Sequence, residues 1–162
     1  MAETLVLGLG NILLSDEGIG VRVVEHLLEQ YDFPEGVLVM DGGTLGLDLL
    51  PYLEDASRLV IVDAVQARKP PGTLSRLTGK ELPVFLDASK VSPHQEGLQD
   101  LLALAALRGY LPDEVVFWGA QVGSLGVSLE LSPAVAAQVD HLGNKVLEEL
   151  AQWGIEPARR NE

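Results

Sequence analysis

The 162-residue chain contains no cysteine, which excludes disulfides, thiolate nucleophiles and sulfur ligands for a metal. Any metal site has to be built from oxygen and imidazole. Positive charge is also scarce: eleven basic residues face twenty-four acidic ones, leaving a formal charge of -13. A field of that sign repels phosphate backbones and anionic lipid head groups, so neither nucleic acid nor a membrane surface is an expected partner. It would draw in a positively charged peptide, although acidity also serves plain solubility. Long apolar runs are missing as well, because Pro, Gly or charges interrupt each one before it could span a bilayer. Met1 to Gly8 has no basic region followed by a long apolar core. The expected location is the cytoplasm.

What is present is the balance of an ordinary globular protein, 47% hydrophobic and 22% charged. The length suits one domain that buries roughly 70% of its unfolded surface. We place that domain at residues 1–153 and read the polar stretch 154–162 as a frayed tail.

Leu5-Val6-Leu7-Gly8 is a strand-type apolar run, and from Ile19 through Val23, Val24, Leu27, Leu28 and Tyr31 the apolar positions repeat at helical spacing. The unit is strand, glycine loop, helix. Val37 to Asp41 reads as a second strand, Leu45 to Leu53 as a short helix and Arg58 to Asp63 as a third strand. Their continuous apolar character fits strands covered on both faces, as in a parallel sheet. Thr73 to Leu77 alternates more weakly and suits an edge. A helix from about Pro93 to Leu107, a strand Val115 to Gly119 and a helix from Pro133 to Trp153 complete the pattern.

Two helix starts are written in the sequence. Ser92-Pro93-His94-Gln95 places Ser at the N-cap, Pro at the first helical position and Gln three residues after the cap, a capping box. Ser132-Pro133 repeats the first half of that signal. Strands alternating with helices predict a three-layer α/β/α domain that binds ligands beyond the carboxyl ends of its strands, where the winding reverses.

Gly8-Leu9-Gly10 after the first strand invites a dinucleotide-binding reading, but Leu13 stands where the third glycine of that fingerprint belongs. Gly123-Ser124-Leu125-Gly126 fails as a nucleophile elbow, since Val122 sits where glycine is required. There is no His-Glu-x-x-His helix. What remains are polar residues at the predicted carboxyl edge: Glu17 after the first loop, Asp63 ending the third strand and His94 opening a helix. Glu17 also suits plain complementation of a helix dipole, and Asp63 a plain turn. An imidazole at a helix N-terminus tends to be held neutral, the form that binds metal. His26 and His141 lie within helices without such a setting.

The motif Gly8-Leu9-Gly10-Asn11-Ile12-Leu13-Leu14-Ser15-Asp16-Glu17-Gly18-Ile19-Gly20-Val21, followed by Asp41-Gly42-Gly43-Thr44, Asp63-Ala64 and Ser92-Pro93-His94-Gln95, resembles the [NiFe]-hydrogenase maturation endopeptidases over Leu5 to about Leu150. The resemblance implies a five-stranded, mostly parallel sheet in the order 2-1-3-5-4 with the fourth strand antiparallel, of phosphorylase/hydrolase-like type. It implies that Glu17, Asp63 and His94 are metal ligands and that the activity is removal of a C-terminal extension from the hydrogenase large-subunit precursor after nickel insertion. One departure is Val122 to Gly126, where relatives often carry an acidic, Pro-containing segment.

In this reading the nickel arrives with the substrate, no resident cofactor is expected, and zinc or cadmium can occupy the site in isolated protein. Catalysis falls to Asp63 or Glu17 activating water, or to the metal polarising the scissile carbonyl. Asp41, Gly42, Gly43 and Thr44 are the expected substrate-recognition segment: the glycines would let a foreign backbone approach, and Asp41 would meet a basic residue beside the scissile bond. The competing class is a non-catalytic, nickel-sensing chaperone that holds the precursor's tail in the same cleft.

Overall fold

A computed structural model describes residues 2–83, 85 and 93–160, with the backbone alone for 93–96. In chain order it contains β1 (Thr4–Leu9), α1 (Ile19–Gln30), β2 (Tyr31–Asp32), β3 (Val37–Gly43), α2 (Leu50–Glu54), β4 (Arg58–Val65), β5 (Leu74–Thr78), α3 (Pro93–Arg108), β6 (Glu114–Gln121), α4 (Pro133–Ala136), α5 (Val139–Gln152) and β7 (Ala158–Arg159). Short 3-10 turns at Ser15–Gly18 and Gly46–Leu49 precede α1 and α2.

β3, β1, β4, β6 and β5 form one five-stranded sheet in that order. All neighbouring pairs are parallel except β5–β6. Counting only the strands of this sheet, the order is 2-1-3-5-4 with the fourth antiparallel, as the resemblance implies. Strand alternation sorts side chains onto two faces. Leu5, Leu7, Leu59, Ile61 and Phe117 face one layer with Leu98, Leu101, Leu102 and Ala105 of α3. Val6, Val60, Val62 and Ala120 face the other with Val23, Val24 and Leu27 of α1 and Leu142, Val146 and Leu150 of α5. The result is three layers, α/β/α.

The glycines of the first motif serve this packing. A Cβ on Gly8 would collide with the backbone of Gly20, and a Cβ on Gly20 with the Val62 and Leu9 carbonyls. Their absence lets the start of α1 lie directly on β1 and β4, a helix–strand approach that needs no phosphate to explain it.

The sheet edge is fastened by one polar cluster. Arg76 of β5 donates to Glu149 of α5 through Nε (2.6 Å) and a terminal nitrogen (3.1 Å), and Trp118 Nε1 of β6 donates to the same carboxylate at 2.9 Å. Burial by itself would raise the Glu149 carboxyl. The Arg76 and Trp118 donors outweigh it and hold the group below the usual carboxylate value.

Three elements differ from the sequence reading. The expected helix Leu45–Leu53 is a 3-10 turn followed by α2, because Pro51 has no N–H to continue a helix that began at residue 45. The expected helix Pro133–Trp153 is divided into α4 and α5. Ser132 anchors the entry to α4 on Asp16, α5 is aligned by its apolar stripe against α1, and the turn between them tightens at Gln138, whose N–H reaches Val135 O at 2.9 Å.

The third difference is the tail, which is paired as far as Arg160 where a frayed end was expected. Gly154 (φ 79°) occupies the left-handed position after α5, with Gly154 N bonding Ala151 O and Ile155 N bonding Leu150 O in the Schellman pattern. That reversal returns the chain to pair β7 antiparallel with β2, and Arg160 adds an ion pair with Asp32 at 3.1 Å. Among the described residues, no helix is long and apolar enough to cross a membrane.

Candidate active site

The carboxyl ends of β1, β3 and β4 meet at Gly10. Its N–H donates to Gly43 O at 3.0 Å, which ties the first loop to the end of β3. Its φ of 124° lies where L side chains rarely go, and a Cβ there would collide with the Glu17 carbonyl oxygen and stand 3.6 Å from Asp63 Oδ1. Glycine at position 10 is what lets the main chain at Glu17 pack against the first loop beside the Asp63 carboxylate.

Both acids are buried. Asp63 has the strand parity of Leu59 and Ile61, so it looks toward the layer that contains α3. Its Oδ1 accepts the N–H of Ala64 at 2.7 Å, fixing the carboxylate against the end of β4. Glu17 sits in the Ser15–Gly18 turn before α1, not in the first turn of the helix itself.

The start of α3 packs over the same edge. A Cβ on Gly97 would lie 3.4 Å from the Gly46 Cα. Leu98 and Leu101 close a narrow crevice of about 10 Å³ with Leu9, Gly43 and Thr44. His94 is the second residue of α3, three positions before Gly97, so its backbone belongs to the turn that faces this edge. The His94 side chain, and Ser92 with the capping box it would complete, lie outside the described residues.

The Asp41–Thr44 segment divides by parity. Gly42 is a bulge, since Gly8 pairs with Asp41 but Leu9 pairs with Gly43. It is buried beneath Leu9 and Leu49, so its missing side chain makes room for those leucines and not for an incoming backbone. Gly43 and Thr44 line the crevice, whereas Asp41 is exposed, shares the parity of Val39 on the opposite face, and closes a turn on Gly43 N at 2.8 Å. Among the described residues no group of three His, Asp or Glu side chains is placed to hold a metal ion.

The residue that sequence reasoning missed is Asp16. It is fully buried beside Glu17 and accepts four hydrogen bonds: Gly123 N (2.7 Å), Ser124 N (2.8 Å) and Ser132 Oγ (2.7 Å) on Oδ2, and Ser132 N (2.7 Å) on Oδ1. Burial pushes this carboxyl up, but the Ser132 hydroxyl and the three backbone donors together bring it below its ordinary value. Ser132 therefore begins α4 as expected, yet spends its hydroxyl on Asp16 and makes no side-chain cap. Through Asp16 the segment Gly123–Ser132 is fastened to the loop that carries Glu17.

The fold and this edge define an α/β/α protein with buried acids at the carboxyl ends of its parallel strands, where such sheets bind ligands, and with loop glycines that pack helix on strand. A family model described as HycI, hydrogenase maturation protease, matches residues 21–149. The chain belongs to the hydrogenase maturation protease family, and with it to the peptide-bond hydrolases. It is 46% identical over 155 residues to the hydrogenase expression/formation protein HupD of Rhodobacter capsulatus, covering 95% of this chain and 74% of the relative. It is 41% identical over 157 residues to the hydrogenase 2 maturation protease of Escherichia coli strain K12, covering 96% and 95%. The solved structure of the hydrogenase maturating endopeptidase HybD from Escherichia coli superposes with a TM-score of 0.93 at 39% identity, over 99% of this chain and 98% of that one.

Proposed function

We propose that this protein is a cytoplasmic endopeptidase that removes the C-terminal extension of a nickel–iron hydrogenase large-subunit precursor once nickel has been inserted. The observation that carries the reading is that two buried acids, Glu17 and Asp63, stand at the carboxyl edge of the sheet beside Gly10, which the Glu17 backbone carbonyl and the Asp63 carboxylate flank. In this reading the nickel is part of the substrate, and Glu17, Asp63 and His94 complete its coordination. Oxygen and imidazole donors without a thiolate make an open site, which suits a visiting ion better than a sealed structural one. The same openness discriminates poorly, so zinc or cadmium can fill the site in isolated protein.

Hydrolysis then needs only an activated water. Asp63 or Glu17 can serve as its general base, or the metal can polarise the scissile carbonyl, and the second route ties the cut directly to completed nickel insertion. Gly43 and Thr44 border the path to the crevice, and the exposed Asp41 carboxylate is available to a basic residue of the precursor.

Incubation of the purified protein with nickel-loaded and nickel-free precursor, followed by mass measurement of the products, tests the proposal. A released peptide of defined mass from the nickel-loaded form alone is the expected result. Equal cleavage of both forms would refute nickel recognition, and tight binding without a released peptide would mark a chaperone instead.

A further inference from the structure

The segment Gly123–Glu130 is exposed along its whole length, yet it carries Leu125, Val127 and Leu129 at alternate positions. The segment bends back on itself, since the adjacent residues Ser15 and Asp16 bond its positions 128 and 124. Val127 is 88% and Leu129 59% exposed, and Leu13, beside them across the Leu14–Ser128 bridge, is 56% exposed. Single exposed apolar residues need no explanation; a run of them on one fixed segment does.

Fixed it is. Ser128 N donates to Leu13 O (3.0 Å), Ser15 N to Ser128 O (2.9 Å) and Asp16 N to Ser124 O (3.1 Å). Ser15 Oγ donates to Glu130 O at 2.7 Å, Arg22 to Leu129 O at 2.9 Å, and the Asp16 carboxylate holds both ends of the segment through Gly123, Ser124 and Ser132. The molecule has thus committed a buried, ionised side chain and a set of backbone bonds to holding an apolar strip in water.

We propose that Leu125, Val127 and Leu129, with Leu13, seat an apolar stretch of the polypeptide substrate as it approaches Glu17 and Asp63. This rests on the reading of the protein as a peptidase acting on a polypeptide precursor. The strip is continuous with the site, since the residues it bonds, Ser15 and Asp16, immediately precede Glu17. Because the strip is ordered before binding, little conformational entropy is lost when the substrate docks. An acidic chain of net charge -13 also gains from contacts whose strength does not depend on the partner's charge.

The test is the double variant Val127→Ser with Leu129→Ser, two exposed positions outside the hydrogen-bonded anchors. Steady-state cleavage of nickel-loaded large-subunit precursor gives KM and kcat, and calorimetric titration of nickel-free precursor, which is not expected to be cut, into the wild-type and strip-substituted proteins gives Kd. The expected result is a rise of roughly tenfold in KM and in Kd with kcat within about twofold. Unchanged KM and Kd, with cleavage intact, would overturn the strip and leave the peptidase reading standing. Weakened binding by a protein that cuts nothing would support the strip and sink the peptidase reading. No measurable binding of the precursor would overturn the strip as well. Sedimentation of wild type and variant completes the test: a dimer lost on substitution, with Kd unchanged, would assign the strip to a second copy of the chain and overturn the proposal.

Discussion

Asp16→Asn removes one charge and one acceptor from the contact that fastens the Gly123–Ser132 segment to the loop carrying Glu17. In the protein, Oδ2 takes three donors and Oδ1 takes the Ser132 N–H. An amide has one acceptor oxygen. With that oxygen in the place of Oδ2, three bonds survive at neutral strength while the amide N–H₂ is turned toward the Ser132 N–H, donor against donor. One lost bond to a charged acceptor costs about 1.5–3 kcal/mol, and weakening of the other three brings the expected loss to about 3 kcal/mol. For a chain of this size that lowers Tm by about 6–12 °C. The pH dependence has a fixed sign. A carboxyl whose folded value is depressed contributes stability that is present above its ordinary value and lost as pH falls through the folded value. Wild type should therefore lead the variant by the full amount at pH 7, with the gap closing below about pH 4. Thermal and urea unfolding at both pH values measure it. Equal stability at pH 7, or a gap that widens on acidification, would refute the assignment of Asp16 as the anchor of this segment.

Glu17→Gln, Asp63→Asn and His94→Ala should each reduce cleavage by at least about 100-fold with the circular dichroism spectrum retained, since ligands acting as one site fail together. Near wild-type cleavage by two of the three would overturn the site. Gly10→Ala should lose both activity and several degrees of Tm, because its Cβ displaces the Glu17 carbonyl and its φ of 124° is strained for alanine; a fully active variant would remove Gly10 from its place at the centre of the cleft. Glu149→Gln should cost about 2 kcal/mol at pH 7 by weakening the Arg76 and Trp118 bonds, a loss that fades below about pH 4.5, and unfolding titrations that show no such fading would count against the ionised pair.

Much of this architecture is legible in the chain because its signals are local. The unbroken apolar runs of β1 and β4 announce strands covered on both faces, and the spacing of Ile19 to Leu27 announces α1. The parts that were not legible depend on pairings between distant residues. Ala158 and Arg159 have nothing in their composition that predicts a strand; they become one because Gly154 turns the chain back toward Tyr31. Ser132 carries a sound N-cap signal, yet its hydroxyl is drawn away by an acid 116 positions earlier. Gly42 and Gly43 look equivalent in the sequence, and only the bulge opposite Leu9 buries one and leaves the other at the crevice.

Asp16 and Glu17 make the same point most sharply. They are adjacent, both acidic and both buried, and no local rule distinguishes them. The fold separates them by what each is offered. Asp16 is met by donors from Gly123, Ser124 and Ser132, which occupy both of its oxygens and hold it ionised, so it is spent on structure and is a poor candidate for moving protons. Glu17, one residue on, is carried by the same turn to Gly10, where its carbonyl and Asp63 Oδ1 flank the position a side chain would fill. An anchor one residue away is an efficient way to fix a functional acid: any shift of Glu17 must also break charge-assisted bonds at Asp16. The same anchor holds the apolar strip, so the geometry that sets the acid also sets where an incoming polypeptide can lie.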